Sequence, residues 1–157
     1  MVITIKEGGS RFGARVGAII YNEDRTKVLL ENQENGRYMF PGGRIDVHED
    51  SNTAIVRELK EELKLETKPR LKYIVEMFLH SPKTKYHEIG LYYLLTISED
   101  SVANNFHSLD GDSVFEWISV SELENYKIMA KPIRDRIVNN QILDEKLEHL
   151  IYREYWF

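Results

Sequence analysis

Residues 42–65 read Gly-Gly-Arg-Ile-Asp-Val-His-Glu-Asp-Ser-Asn-Thr-Ala-Ile-Val-Arg-Glu-Leu-Lys-Glu-Glu-Leu-Lys-Leu. A glycine turn leads into a helix expected over about residues 51–65. At about 100° per residue, Glu62 falls about 40° to one side of Glu58 and Glu61 about 60° to the other. Three carboxylates therefore share one arc. Like charges at these spacings cost a helix roughly 0.2–0.5 kcal/mol per pair. The cations Arg57, Lys60 and Lys64 fall on the far arc, and of these Arg57 has i,i+4 spacing to an acid, Glu61. An acidic cluster left largely unpaired suggests a missing positive partner, and a hard divalent cation with oxygen ligands would supply it. Ile55, Val56, Leu59 and Leu63 form an adjacent apolar stripe, so the helix can pack on a core and hold its carboxylates at a cleft edge. A plain solvated acidic face is the competing reading of the helix alone.

The wider spacing decides between them. Gly43, Glu49, Arg57, Glu58, Leu59, Glu61, Glu62 and Leu65 resemble the Nudix box, matching eight of its nine specified positions over 23 residues, 43–65. Pro41 and Gly42 resemble the usual lead-in. The departure is Lys64, where the family usually has glycine. Either Lys64 accepts a left-handed conformation, at roughly 1–2 kcal/mol, or the helix runs on to Glu66 or Thr67 before Pro69 stops it. Neither outcome moves Glu58, Glu61 or Glu62.

The chain has 157 residues, no cysteine and a formal net charge of −5. That length predicts a single domain, 1–157. There is no apolar run long enough to span a membrane, and the opening residues read as no signal peptide. The absence of cysteine rules out thiolate chemistry and fits a cytoplasmic protein. A nucleic-acid binder usually carries a basic footprint, and the composition shows none, so neither nucleic acid nor membrane is expected as a partner.

Along the chain, Val2–Lys6 reads as an edge strand. Residues 12–21 and 26–30 form a hairpin, and 38–40 lead into the glycine turn. Residues 71–79 and 86–98 alternate as long strands, and 115–118 as a short one. Pro132 suits the first turn of a helix. Leu143, Leu147, Leu150 and Ile151, at i, i+4, i+7 and i+8, predict a last helix, so C-terminal helices occupy about 131–157. The aromatic end, Tyr152 to Phe157, is expected to pack on the body or across a homodimer. Antiparallel strands with a central helix and C-terminal helices make an α+β fold. The Nudix resemblance narrows it to a mixed β-sheet sandwiched between α-helices.

What the resemblance implies is metal-dependent hydrolysis of a diphosphate linkage in a nucleoside diphosphate joined to another moiety. The cofactor would be Mg²⁺ or Mn²⁺, held by Glu58 and Glu62, with Glu61 joining and the Gly43 carbonyl approaching. Glu49 pairs with Arg57 or sits in the outer shell. The base that deprotonates water is left among the box glutamates Glu61 and Glu62 and three later acids, Asp110, Asp112 and Glu88. Arg15, Arg37 and Lys85 are candidate phosphate cations, and Tyr38, Tyr86 and Phe106 candidate stacking partners for a base, with ordinary packing the alternative for each. His87 reads as a satisfied, half-buried histidine. Three rivals share the fold: a non-catalytic nucleotide-binding domain, an isoprenyl diphosphate isomerase (which would need a cysteine) and an RNA-cap hydrolase (which would be expected to show a basic RNA surface or extra domains). The partner expected is a small nucleoside diphosphate derivative.

Overall fold

The computed structural model describes residues 1–157 apart from 34–35, 109–110, 112, 143, 145 and 156–157. The strands are β1 (Thr4–Glu7), β2 (Ser10–Tyr21), β3 (Lys27–Asn32), β4 (Arg37–Met39) and β5 (Gly42–Arg44). After helix α1 (Ser51–Leu63) come β6 (Arg70–His80), β7 (Lys85–Thr96), β8 (Phe106–His107), β9 (Val114–Ser119) and β10 (Lys127–Ile128). Helix α2 (Lys131–Val138) and strand β11 (Glu148–Tyr155) complete the described chain.

These strands form one mixed sheet whose main path runs β10-β4-β3-β2-β7-β6-β11. Its spine is the parallel pair β2·β7, in register from Ser10↔Lys85 to Tyr21↔Thr96. Being central and covered on both faces, β2 is buried without interruption from Val16 to Tyr21, the pattern of a strand with no solvated side. Helix α1 lays Ala54, Ile55, Leu59 and Leu63 on one sheet face, against Val16, Ala18 and Tyr93. Helix α2 lays Ile133 and Ile137 on the other, against Tyr73, Val75 and Tyr92. The mixed sheet between helices is thus as expected.

The C-terminal segment is not. Residues 148–155 form a strand parallel to β6, in register from Glu148↔Tyr73 to Tyr155↔His80. Leu150 is 8% exposed while Leu147 and Ile151 are 54% and 60% exposed, so burial alternates with period two instead of following the helical set. The stretch His149-Leu-Ile-Tyr-Arg-Glu-Tyr155 is rich in the aromatic and branched residues that suit a pleated surface, and the free edge of β6 supplies the pairing partner. Leu143, Trp156 and Phe157 lie outside the described residues.

The strand is tied back by a buried lysine. At Lys72 the β6·β7 register shifts, and the side chain, fully buried, donates to Asp144 Oδ1 at 2.8 Å and to the carbonyl of Lys146 at 2.5 Å. A buried ammonium needs such partners. Among the described residues, no helix is long and apolar enough to cross a membrane.

Candidate active site

Helix α1 begins at an Asp50 cap, whose carboxylate accepts from the Thr53 amide at 2.9 Å. This satisfies one of the amides that the first turn leaves without a partner. Its other end settles the question of Lys64. That residue is left-handed (φ 56°, ψ 28°), and its amide donates to the carbonyls of Leu59 and Lys60. The chain keeps the family's turn and accepts the strain of a side chain in it.

Between these ends the box residues converge on Arg57. Its Nε donates to Glu49 Oε2 at 2.7 Å and its Nη2 to Glu49 Oε1 at 2.9 Å, a two-pronged pair. Nη1 donates to Glu58 Oε1 at 2.9 Å and to Glu61 Oε2 at 3.3 Å, and Nη2 also reaches the Arg44 carbonyl at 3.2 Å. The expectation of a largely unpaired acidic arc is corrected here. One guanidinium, with five donors in a planar fork, curls from the far arc to serve three of the acids. The Glu49 carboxyl is held below its ordinary range, chiefly by its hydrogen bonds from Arg57. Arg57 is pushed above its own range, Glu49 again the first cause.

Glu58 presses against the glycine turn. A Cβ placed on Gly43 would lie 2.3 Å from Glu58 Oε1, so only a glycine lets the backbone come this near the carboxylate. Glu58 and Glu62 are half-buried on α1, and Glu61 is exposed. Among the described residues no three His, Asp or Glu side chains converge as a finished metal centre. The donor set still fits Mg²⁺, which keeps several waters and needs few protein oxygens: hard carboxylates beside a turn where no Cβ blocks approach to the backbone.

Beside the turn, β5 pairs with β2, setting Arg44 opposite Arg15. Both line a cavity of about 130 Å³ together with Tyr86 and Glu88. Glu88 is 3% exposed. Tyr86 donates its hydroxyl proton to Glu88 and accepts from Arg44 Nη2 at 3.0 Å. Burial pushes the Tyr86 hydroxyl up, with the Glu88 charge adding. Arg15 Nε and Arg44 Nη1 are buried and have no hydrogen-bond partner among the described residues. Arg44 is the residue that sequence reasoning missed, although its place directly after Gly43 was a signal.

The remaining candidates scatter. Arg37 lines a second cavity. Lys85 is exposed at the start of β7. Tyr38 packs edge-on against Tyr126 at 5.0 Å, and Phe106 packs with the α1-side core. His87 stands between Phe12 and Phe78, at 4.9 and 4.3 Å, with a buried Nε2 that has no hydrogen-bond partner among the described residues. It is half-buried as expected but not satisfied. Asp110 and Asp112 lie outside the described residues.

The NUDIX domain family model matches residues 11–140. A U8 snoRNA-decapping enzyme of Homalodisca vitripennis is 44% identical over 48 residues, 31% of this chain and 25% of that protein's length. Among solved structures, the MutT protein from Bacillus halodurans aligns with a TM-score of 0.70 and 18% identity, covering 91% of this chain and 90% of that one. The dihydroneopterin triphosphate pyrophosphohydrolase of E. coli aligns with a TM-score of 0.59 and 16% identity, covering 83% and 96%. At these identities the structural likenesses show a shared fold. The chain belongs to the NUDIX domain family.

Proposed function

We propose that this NUDIX-domain chain acts as one unit that hydrolyses a diphosphate linkage in a nucleoside diphosphate derivative. The observation that carries the reading is the placement of Glu58 against Gly43 while Arg57 binds Glu49, Glu58 and Glu61. A surface helix has no need to hold an acid against a Cβ-less backbone.

A divalent cation, Mg²⁺ or Mn²⁺, would be held by Glu58 and Glu62, with Glu61 and the Gly43 carbonyl beside them. When bound it supplies charge neutralisation at phosphorus and acidifies water. The chain's own groups do the rest. Arg57 positions the acids by fixing Glu49 on the loop to Glu58 on the helix. Arg15 and Arg44, which line the cavity beside the turn, grip phosphate oxygens, the task for which a guanidinium is suited. Glu88 and Tyr86 hold Arg44 in line as positioning residues. Glu61, half exposed at 50% of its side-chain surface, is the acid open to the attacking water and takes its proton.

The test is a hydrolysis screen with Mg²⁺ or Mn²⁺ over nucleoside triphosphates, nucleotide sugars, ADP-ribose, dinucleoside polyphosphates and a capped RNA fragment. Turnover of at least one, lowered by about a hundredfold or more in Glu58→Gln and Glu62→Gln, is expected, since each 1.36 kcal/mol is about tenfold. Nucleotide binding without turnover would establish the non-catalytic alternative.

A further inference from the structure

A cavity of about 410 Å³ opens between β4, β10, the start of α2 and the inner face of β11. It is of the size that small-molecule sites have. Met77 and Met129 line both this cavity and the arginine cavity beside the glycine turn, so the two adjoin. Its floor is apolar, with Leu79, Ile128 and Tyr152 joining the two methionines. Its rim is not. Arg37, Lys127, Lys131 and Arg134 line it together with the carboxylate of Glu154, and Arg134 is paired with Asp135 at 2.9 Å. A chain of net charge −5 gathers four cations around one hollow.

Three of the placements here run against local stability. Lys127 is the direct backbone partner of Arg37 in the parallel pair β10·β4, and like charges set side by side in a sheet repel. Lys131 is the first residue of α2, where the helix dipole disfavours a cation. Ala130 before it is buried and left-handed, at φ 61° and ψ 52°, and offers no side-chain cap. A non-glycine residue there costs about 1–2 kcal/mol. Local rules broken together, at one cavity, mark a site where function has overridden them.

We infer that this cavity binds the half of the substrate remote from the scissile linkage, and that this half carries a phosphate of its own. The inference rests on the hydrolase reading for the word substrate and on the cavity alone for the ligand. A ring system lies on the Met77, Met129 and Tyr152 floor, and a phosphate monoester of about −1.5 to −2 charge meets Lys127, Lys131 and the two arginines. The substrate class is a nucleoside diphosphate derivative bearing a phosphate outside the diphosphate bridge.

The experiment compares adenosine 3′,5′-bisphosphate with adenosine 5′-phosphate by titration calorimetry, without turnover, on the whole chain at about 0.1 M salt. The bisphosphate is expected to bind at least about tenfold more tightly, and Lys127→Glu/Lys131→Glu to erase that preference. Lys127→Gln/Lys131→Gln, which adds no new charge, serves if the first variant fails to fold, and is expected to lower the preference by several-fold. Equal affinities for the two probes in the parent overturn the inference, as does a preference that survives both variants. Hydrolysis of NADP⁺ against NAD⁺ then separates the two readings. No turnover of any substrate with the binding preference intact sinks the hydrolase and leaves the cavity. Turnover without the preference does the reverse.

Discussion

Gly43 and Glu58 are in contact across the turn, so close that a methyl group on the glycine would sit 2.3 Å from the carboxylate oxygen. The neighbouring glycine makes an instructive contrast, since a Cβ on Gly42 would lie 2.0 Å from the Val16 carbonyl in the central strand. A side-chain end can swing aside and a buried backbone cannot. Gly43→Ala is therefore expected to fold, with a modest loss in melting temperature, and to lose about a hundredfold in turnover as Glu58 is displaced. Gly42→Ala is expected not to fold at all. Circular dichroism and steady-state kinetics on the pair check this, and a fully active Gly43→Ala enzyme would remove Glu58 from the site.

At the other end of α1, Lys64 holds a left-handed conformation. Glycine relieves that strain and returns part of the gain as chain entropy. Lys64→Gly is expected to stabilise the protein by up to about 1 kcal/mol and to leave kcat and KM within about twofold. Denaturant unfolding reads the first and kinetics the second. A tenfold rise in KM would place the lysine at the phosphates.

The Glu49–Arg57 pair predicts the acid limb of the stability curve. Glu49 has a lower carboxyl pKa folded than unfolded, because Arg57 hydrogen-bonds the charged form. Its contribution is therefore fully present above the ordinary value of 4.5 and is lost as pH falls through the depressed folded value. Glu49→Gln is expected to melt lower than the parent at neutral pH, and the two melting curves to converge on acidification. Parallel curves from pH 7 down to about pH 3 would contradict the linkage.

For the C-terminal strand, neighbours should behave oppositely. Leu150→Ala, at a buried position, is expected to cost about 2 kcal/mol or more. Ile151→Ala, exposed, should stay within about 0.5 kcal/mol. A helix over the same residues would make both changes costly.

The box was legible because its requirement is local. A carboxylate arc, a glycine turn and a loop glutamate within reach of one arginine all lie inside 23 residues, and backbone geometry alone brings them near each other. Four things were not legible. The reach of Arg57 depends on side-chain torsions that a helical wheel omits. The strand at 148–155 depends on a partner far back in the chain, and its apolar spacing also fits a helix. The role of Arg44 depends on β5 pairing with β2, which brings it to Arg15 and Tyr86 from distant sequence. The sequence composition, acidic overall, also hid the basic cavity rim, because Arg37, Lys127, Lys131 and Arg134 gather there only through β4·β10 pairing and the start of α2.

The parallel docking of β11 on β6 also bears on how the protein is made. On the ribosome, residues 4–96 emerge before residues 148–155, and they contain the box helix, the glycine turn and the strands that hold them. Tyr152 and Glu154, which wall the larger cavity, follow only after the rest of the described sheet has been synthesised. Closing so long a loop is slow compared with forming the neighbouring hairpins. A nascent chain thus forms the helix that carries Glu58, Glu61 and Glu62 before the strand that walls the cavity beside β4 and α2.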